Sequence, residues 1–109
     1  MQGWIKVHRK MLNSPIWQDS KLAHVWMTCL LKATHKKNDA LLGRKKITLK
    51  PGQFVTGRRK AAAEMGMSEK GYTSAMRSLV DFGMLKIETS QGQAGTVVSI
   101  CNWSTYQNP

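Results

Sequence analysis

The chain has few acidic residues and few cysteines, and it has no long apolar run. Among 109 residues, only six are Asp or Glu, and only Cys29 and Cys101 are cysteine. No apolar run reaches the roughly 20 residues that a membrane-spanning helix needs. The first ten residues, MQGWIKVHRK, contain no apolar signal segment. We therefore expect a cytoplasmic protein with no membrane partner.

The residue patterns that most enzymes and metal sites require are also missing. The sequence has no carboxylates paired at helical spacing, no GxxxxGK phosphate-binding loop and no nucleophile accompanied by a base. The histidines, His8, His24 and His35, form no HExxH cluster, and the two cysteines lack metal-ligand spacing. We therefore expect no enzymatic activity, no cofactor and no metal site. The cysteines fit buried free thiols better than a disulfide or a metal pair.

Positive charge is what the chain has in excess. The formal net charge is +11 and the sequence pI is about 10.1. Residues 1–60 contain 14 Lys or Arg against two Asp or Glu, whereas residues 61–109 contain three against four. This asymmetry favours a polyanionic partner over a generic basic surface. The cations form four clusters: Lys6, Arg9 and Lys10; Lys36 and Lys37; Arg44, Lys45 and Lys46; Arg58, Arg59 and Lys60.

The length fits a single domain covering residues 1–109. Residues 1–18 predict an N-terminal extension whose short helix ends near Ser14-Pro15, because proline cannot continue a helix. Residues 19–37 predict the first long helix, capped by Asp19 or Ser20. Its wide apolar stripe requires cover from either the N-terminal segment or a second subunit. The stripe comprises Leu22, Val25, Trp26, Cys29, Leu30 and Ala33, widened by Ala23, Met27 and Leu31.

Short strands and turns are predicted between the first long helix and residue 57. Asn38-Asp39 indicates a turn, and the alternation around Ile47 and Leu49 indicates a half-buried strand. Residues 50–53, KPGQ, have proline and glycine where a type II turn prefers them. Residues 54–56, FVT, predict another short strand.

Residues 57–83 predict a helix-turn-helix. We expect Thr56 to cap a short helix from Arg58 to Met65, and Ser68 to cap a second helix that closes at Gly83. From Ser68 to Phe82 this second helix is neutral, since Lys70 and Arg77 are balanced by Glu69 and Asp81. Its predicted buried side comprises Tyr72, Ala75, Met76, Leu79, Val80 and Phe82.

Residues 84–102 predict a hairpin with a polar, glycine-rich tip, and residues 103–109 form a tail. We expect Trp103 and Tyr106 of this tail to dock on the first long helix. The order of elements predicts the α+β class. In particular, it predicts a winged helix-turn-helix with an extra N-terminal helical segment and a C-terminal β-hairpin wing. In that fold the second helix of the helix-turn-helix usually enters the DNA major groove.

Two sets of residues are therefore candidates for DNA contact. Phosphate contacts are predicted for Arg58, Arg59 and Lys60; Arg44, Lys45 and Lys46 either contact the flanking backbone or are solvated. The recognition helix presents Ser68, Lys70, Thr73, Ser74 and Arg77, unless this face is simply solvated. Tyr72 either packs in the core or contacts DNA. The wing tip has no cation, so Gln91 and Gln93 are its weak candidates.

Several stretches resemble a known family. They are GWIKVHRKMLNSPIWQD, LLKATHK, ITLKPGQFVTGRRKAAAEMGMSEKGYTSAMRSLVDFGMLKIET and TVVSICNWSTYQ, which cover nearly the whole chain. They resemble the N-terminal winged-helix domain of phage and mobile-element replication initiators, or replisome organisers, which are related to DnaD-type primosomal proteins. The LKPGQFVTGRRK and NWSTYQ pieces are the specific ones. The Gly71-Tyr72 pair departs from the family pattern; Gly71 either allows close approach of DNA or is tolerated because Ser68 caps the turn.

The resemblance implies that the domain binds double-stranded origin DNA in phage or plasmid replication, or self-associates into a homo-oligomer. It also implies a separate C-terminal region, following the NWSTYQ stretch, that contacts a helicase loader or helicase. The chain would then be an N-terminal domain or a small stand-alone relative, associated with the nucleoid of a bacterial cell or located in host cytoplasm. A transcriptional regulator with the same fold and a self-association scaffold of a primosome or replisome are the alternatives.

Overall fold

The computed structural model describes residues 5–42, 44–88 and 95–103. Within them lie four α-helices and two small antiparallel sheets, so the predicted α+β class is confirmed. After a 3-10 helix, Arg9–Asn13, the helices are α1 Pro15–Gln18, α2 Ser20–Lys32, α3 Arg58–Glu64 and α4 Glu69–Asp81. The strands are β1 Asn38–Leu42, β2 Lys45–Leu49, β3 Gln53–Thr56, β4 Leu85–Glu88 and β5 Thr96–Ile100.

Residues before α2 cover part of its apolar stripe. The 3-10 helix ends before Ser14, as predicted, but Pro15 also opens α1, because proline fits the first turn of a helix. Ile16 of α1 is buried in the same core as the stripe, so cover comes from within the chain. Leu31 is 65% exposed, however, so it does not join the core as the sequence predicted, and Trp17 of α1 is also 47% exposed.

Helix α2 begins as predicted but ends earlier. Asp19 is its N-cap and accepts hydrogen bonds from two backbone N–H groups of the first turn. All six main residues of the predicted stripe are buried. The predicted end near residue 37 was wrong, because Ala33 is extended and the Thr34 N–H donates to the Gln53 carbonyl at 3.0 Å. A contact with β3 thus replaces the last helical turn.

Strands β1 and β2 form a hairpin that the sequence did not predict. Asn38 pairs with Leu49, and Leu42 pairs with Lys45. The predicted turn at Asn38-Asp39 was therefore wrong, since both residues belong to β1. Pairing places Leu42 and Leu49 on one face, where both are buried. Packing of these leucines outweighs the turn preference of Asn-Asp.

The second sheet has the strand order β3-β5-β4, and all its pairs are antiparallel. The predicted pairing of the last two strands is confirmed. The turn before β3 is also confirmed: the Gln53 N–H donates to the Lys50 carbonyl at 3.1 Å, and Gly52 has φ +88°. That left-handed conformation favours glycine, as a type II turn requires.

Helices α3 and α4 are joined by a short turn. The N-cap of α3 is Gly57, with no side-chain cap, so the prediction of Thr56 as the cap was wrong. Thr56 is instead the last residue of β3. Gly66, at φ +67°, follows α3, and the Ser68 hydroxyl caps α4 by accepting a hydrogen bond from the Gly71 N–H at 3.0 Å. The predicted Ser68 cap is confirmed.

A single core cluster joins α2, α4 and the second sheet. Trp26, Leu79 and Val98, one from each, are at most 1% exposed. Val80 and Phe82, predicted to be buried, are 37% and 54% exposed. Val80 lies about 100° around the helix from Leu79, and Phe82 lies beyond the last helical residue. The buried side of α4 is therefore narrower than predicted.

Trp103 is buried, but its described neighbours Gly52 and His35 lie beyond the end of α2 and not on that helix, where the sequence predicted it to dock. A β-carbon at Gly52 would be only 2.8 Å from Trp103 Cβ, and the Trp103 ring lies 6.0 Å from that of His35. Tyr106, the other predicted docking residue, is outside the described residues. Among the described elements the longest helices have 13 residues, and none is long and apolar enough to cross a membrane.

Candidate nucleic-acid interface

The exposed side of α4 borders an open cleft. Because its apolar residues recur at helical spacing on the buried side, its polar residues are left on the opposite side. The cleft is lined by Arg58, Glu69, Lys70, Thr73, Ser74 and Arg77. Four predicted recognition residues, all except Ser68, are thus brought onto one surface. The Ser68 oxygen is instead occupied by capping α4.

An ion-paired group connects the starts of α3 and α4. Arg58 Nε lies 3.2 Å from Glu69 Oε1, and Arg59 Nε lies 3.7 Å from Glu69 Oε2. The arginine side chains are 68% and 91% exposed, and that of Glu69 is 45% exposed. Ion pairs this exposed contribute little to stability, so solvent and external anions compete readily for both arginines.

Lys60 faces another part of the surface. Lys32 Nζ donates a hydrogen bond to Glu64 Oε1 at 2.6 Å, which lowers the pKa of Glu64, and the charge of Lys60 lowers it further. Lys60 therefore lies near the carboxylate at the end of α3, and it does not line the cleft that contains Arg58. Lys60 thus has a different charged neighbour from Arg58 and Arg59, which both pair with Glu69.

A second cleft lies between α4 and the second sheet. Arg58 and Thr73 line both clefts, so the two are continuous at these residues. Tyr72 also lines the second cleft but is only 5% exposed. Burial raises the pKa of the Tyr72 phenol, while its hydrogen bond with Thr56 acts in the opposite direction. Tyr72 therefore packs in the core, which was one of its two predicted roles.

A cation missed by the sequence analysis lies beside the first turn of α4. A β-carbon at Gly71 would be 3.2 Å from Ser68 Oγ and 3.6 Å from Lys21 Nζ. Gly71 thus faces the beginning of α2 and not an open surface. Of the two explanations for this glycine, close approach of DNA or tolerance because Ser68 caps the turn, this position favours the second. Lys21 is distant in sequence from α4, so no local pattern signals their proximity.

The tip of the β1–β2 hairpin reaches the same edge of the fold as Arg58. A β-carbon at Gly95 would be 3.0 Å from Leu42 Cδ1 and 3.4 Å from the Thr56 carbonyl oxygen. Thr56 precedes Arg58 by two residues. The basic hairpin tip, which includes the exposed Arg44, therefore lies next to the start of α3.

Lys45 and Lys46 lie on opposite faces of this hairpin. Lys45 pairs with Leu42 and shares its inner face. Lys46 lies on the outer face, where its Nζ is 3.5 Å from Asp39 Oδ2. Only Lys45 is thus on the side that faces the second sheet. The predicted wing residues Gln91 and Gln93 are outside the described residues.

The described residues contain no group of three His, Cys, Asp or Glu that could hold a metal ion. Both cysteines are free thiols; Cys29 is buried, as predicted, whereas Cys101 is only partly so. Burial raises the pKa of Cys29 to about 12, against a weaker opposing effect of Lys32. Its Sγ lies 3.9 Å from Met76 Sδ, so Cys29 behaves as a packed apolar group.

These features define an α+β protein with an exposed polar helix beside two arginines and a basic hairpin. No protein-family model, no curated protein and no solved structure matches the chain. Its function is therefore inferred from the geometry of these surfaces.

Proposed function

We propose that the chain is a winged helix-turn-helix domain that binds double-stranded DNA sequence-specifically. The succession α2, β3, α3, α4, β4 and β5, with the sheet order β3-β5-β4, agrees with that fold. Helices α3 and α4 would be the helix-turn-helix, and strands β4 and β5 the wing. Helix α1 is the N-terminal addition, and the β1–β2 hairpin is inserted after the first long helix.

The observation that carries this proposal is the shared cleft. It combines Arg58, from α3, with Lys70, Thr73, Ser74 and Arg77 on a single exposed helix face. Phosphate contacts supply affinity without sequence information, and contacts to base edges supply choice. The near-neutral charge of α4 is compatible with separate phosphate and base contacts, because the cations that bind phosphate come from other elements.

Each group has a chemically suitable target on the duplex. Arg77 reaches a guanine edge or a phosphate, and the hydroxyls of Thr73 and Ser74 suit base edges or phosphates. Arg58 and Arg59 bind phosphate, for which the fork of guanidinium donors is well matched. Lys21, Lys45 and Arg44 extend the contact along the flanking backbone.

Recognition of a replication origin in phage or plasmid DNA is the role we assign to this binding. The resemblance to replication initiators supports it, and a helicase loader or helicase would then be contacted through a C-terminal region that follows this chain. A transcriptional regulator would use the same cleft, since the fold does not separate the two roles. A footprint at origin repeats rather than at a promoter distinguishes them.

One surface favours a second candidate function, self-association in a primosome or replisome. Val80 and Ile87, which are 37% and 39% exposed, line one shallow cleft, and Phe82 is 54% exposed. Exposed apolar side chains gathered in one region favour a protein contact. If the solution mass exceeds that of a monomer and falls on changing Val80 and Phe82 to Ser, this candidate is supported.

The DNA-binding proposal is tested by selecting duplexes from a random library and titrating salt on the selected site. Neutralisation of about four to six phosphates predicts a slope of log affinity against log salt of roughly −4 to −5. A slope near zero would contradict the proposal. The double variant Arg58→Ala/Arg59→Ala should reduce the magnitude of the slope by about 2, one for each lost phosphate contact.

A matched control comes from Lys36→Ala/Lys37→Ala, which removes the same charge. These lysines follow Thr34, whose N–H donates to Gln53 at the far end of β3 from Arg58. We expect the control to leave the slope within about 0.5 of the original, because its cations lie outside the contact. Equal losses from both double variants would indicate a diffuse effect of net charge.

A further inference from the structure

Glu69 is placed where a carboxylate interferes with the binding of phosphate. It is the first residue of α4 and, among the described residues that line the α4 cleft, the only acidic one. One carboxylate oxygen lies 3.2 Å from Arg58 Nε, and the other lies 3.7 Å from Arg59 Nε. The carboxylate thus faces both arginines that we assign to phosphate.

Binding to any duplex changes the surroundings of this carboxylate. If Arg58 and Arg59 turn to phosphates, both ion pairs with Glu69 are weakened and a negative side chain is left beside negative oxygens. Like charges brought close together oppose binding. This repulsion weakens binding to every DNA sequence equally, unless the duplex offers the Glu69 carboxylate a new hydrogen-bond donor.

The position of Glu69 on α4 would bring its carboxylate close to such a donor on the duplex. Residues at the N-terminal end of a recognition helix contact base edges in the major groove. In that groove cytosine presents an N4 amino group, the donor that a Glu carboxylate accepts from. A cytosine at the facing position therefore compensates for the loss of the arginine partners. Guanine and thymine present acceptors there, and the N6 amino group of adenine lies beside the N7 acceptor, which repels a carboxylate.

On the basis of the proposed function, we infer that Glu69 is a specificity-determining residue. It acts as an intramolecular counter-ion of Arg58 and Arg59 that weakens binding to unrelated duplexes, and it accepts a hydrogen bond from a cytosine at the selected site. Discrimination then arises partly from a penalty against wrong sequences, in addition to favourable contacts with the right one.

The test compares Glu69→Gln with Asp81→Asn, which removes the same charge from the exposed last residue of α4. Affinities are measured for the selected duplex and for a scrambled duplex of equal length. We expect Glu69→Gln to bind the scrambled duplex about threefold to tenfold more tightly, because repulsion between the carboxylate and the phosphates is removed and both arginines lose a competing anion. Asp81→Asn should change this affinity less than about twofold.

Two further variants test whether the effect of Glu69 depends on the two arginines and on a cytosine. In the Arg58→Ala/Arg59→Ala background, Glu69→Gln should increase binding to the scrambled duplex much less, because only the repulsion of phosphate remains and the ion-paired partners are absent. Glu69→Ala should also lose the preference for cytosine at one position of the selected duplex, measured by replacing each C·G pair with T·A. Thermal unfolding within a few degrees of the original protein shows that each variant is folded.

The outcomes separate this inference from the proposed function. Equal gains for Glu69→Gln and Asp81→Asn, or a gain that is undiminished without the arginines, would overturn the role of Glu69 while leaving DNA binding intact. An unchanged cytosine preference in Glu69→Ala would overturn the base contact. If neither the original protein nor Glu69→Gln binds any duplex, both proposals fail.

Discussion

Arg58 and Arg77 line the same cleft, yet we expect them to contact different parts of a duplex. In a Glu69→Gln background, changing Arg58 and Arg59 to Ala should weaken binding to all duplexes alike, by roughly tenfold or more at low salt. Changing Arg77 to Ala should instead relax the preference at one base pair, by about 1 to 3 kcal/mol. Changing Thr73 or Ser74 should act in the same way as Arg77.

This asymmetry is measured by repeating the duplex selection and the salt titration with each variant. The ratio of affinities for selected and scrambled duplexes is the decisive quantity. It should stay nearly constant when Arg58 and Arg59 are changed in the Glu69→Gln background and should fall when residues of α4 are changed. If both sets of variants change this ratio equally, α4 is not the element that distinguishes sequences.

At Cys29, burial makes the stability of the fold depend on alkaline pH. The folded thiol has a pKa of about 12, against an ordinary value of 9.0. Between these values the unfolded chain binds fewer protons than the folded one, so the free energy of unfolding falls as pH rises above about 9. Three pKa units correspond to about 4 kcal/mol at the upper limit. The raised pKa of Tyr72 acts in the same direction.

Denaturant unfolding from about pH 8 to about pH 10.5 measures this loss of stability. The Cys29→Ala variant should show a smaller decrease over the same range, although its stability is lower throughout. In a Cys101→Ser background, Cys29 should resist alkylation until the protein unfolds. Rapid alkylation of the folded protein would contradict the burial of this thiol.

At the scale of elements, the β1–β2 hairpin has one face that can contribute to DNA binding. Lys45 shares the inner face with Leu42, which lies against Gly95. Lys46 lies on the outer face and pairs with Asp39. We therefore expect Lys45→Ala to reduce the magnitude of the salt slope by about 1 and Lys46→Ala to change it much less. Equal effects would mean that the hairpin contributes only net charge.

The elements predicted best are those whose determinants are local. Helix α4 has a capping serine, an apolar stripe at helical spacing and a closing glycine, and Gly83 indeed has φ +75°. The predictions for the end of α2 and the start of β1 were wrong because contacts with residues distant in sequence determine both boundaries. Thr34 hydrogen-bonds to β3, and Leu42 packs near the beginning of β5. No local pattern contains these partners.

The same distinction applies to the candidate site. Periodicity alone placed Thr73, Ser74 and Arg77 on one face, and the structure does so too. Sequence proximity grouped Lys60 with Arg58, whereas in the structure Lys60 lies near Glu64 and Arg58 pairs with Glu69. The roles of Glu69 and Lys21 depend on contacts between separate helices, which composition and spacing do not reveal.

At the scale of the whole molecule, folding combines a basic half of the chain with a nearly neutral one. Residues 1–60 supply most of the cations, and residues 61–109 supply α4. Arg58 and the hairpin tip lie at the edge of the second sheet, close to α4. The proposed interface thus exists only in the folded protein, and it depends on the integrity of the single core.

That integrity depends on the close contact between Gly52 and Trp103. Gly52→Ala combines a left-handed conformation, φ +88°, with a β-carbon 2.8 Å from Trp103. We expect it to lower the free energy of unfolding by about 2 to 4 kcal/mol. Gly66→Ala is the control, because Gly66 has φ +67° but no atom within 4 Å of the new β-carbon. Gly66→Ala should lower the free energy of unfolding by only about 1 kcal/mol. Denaturant unfolding of both variants measures this difference.

The strand order β3-β5-β4 has a consequence for synthesis on the ribosome. Strand β5 is the middle strand although it is the last one made, so neither β3 nor β4 has its partner in this sheet until residues 96–100 have been translated. The apolar stripe of α2, made much earlier, remains without the sheet against which it packs. We therefore expect this sheet to form only after residues 96–100 have left the ribosome, and until then the apolar stripe of α2 is exposed to aggregation.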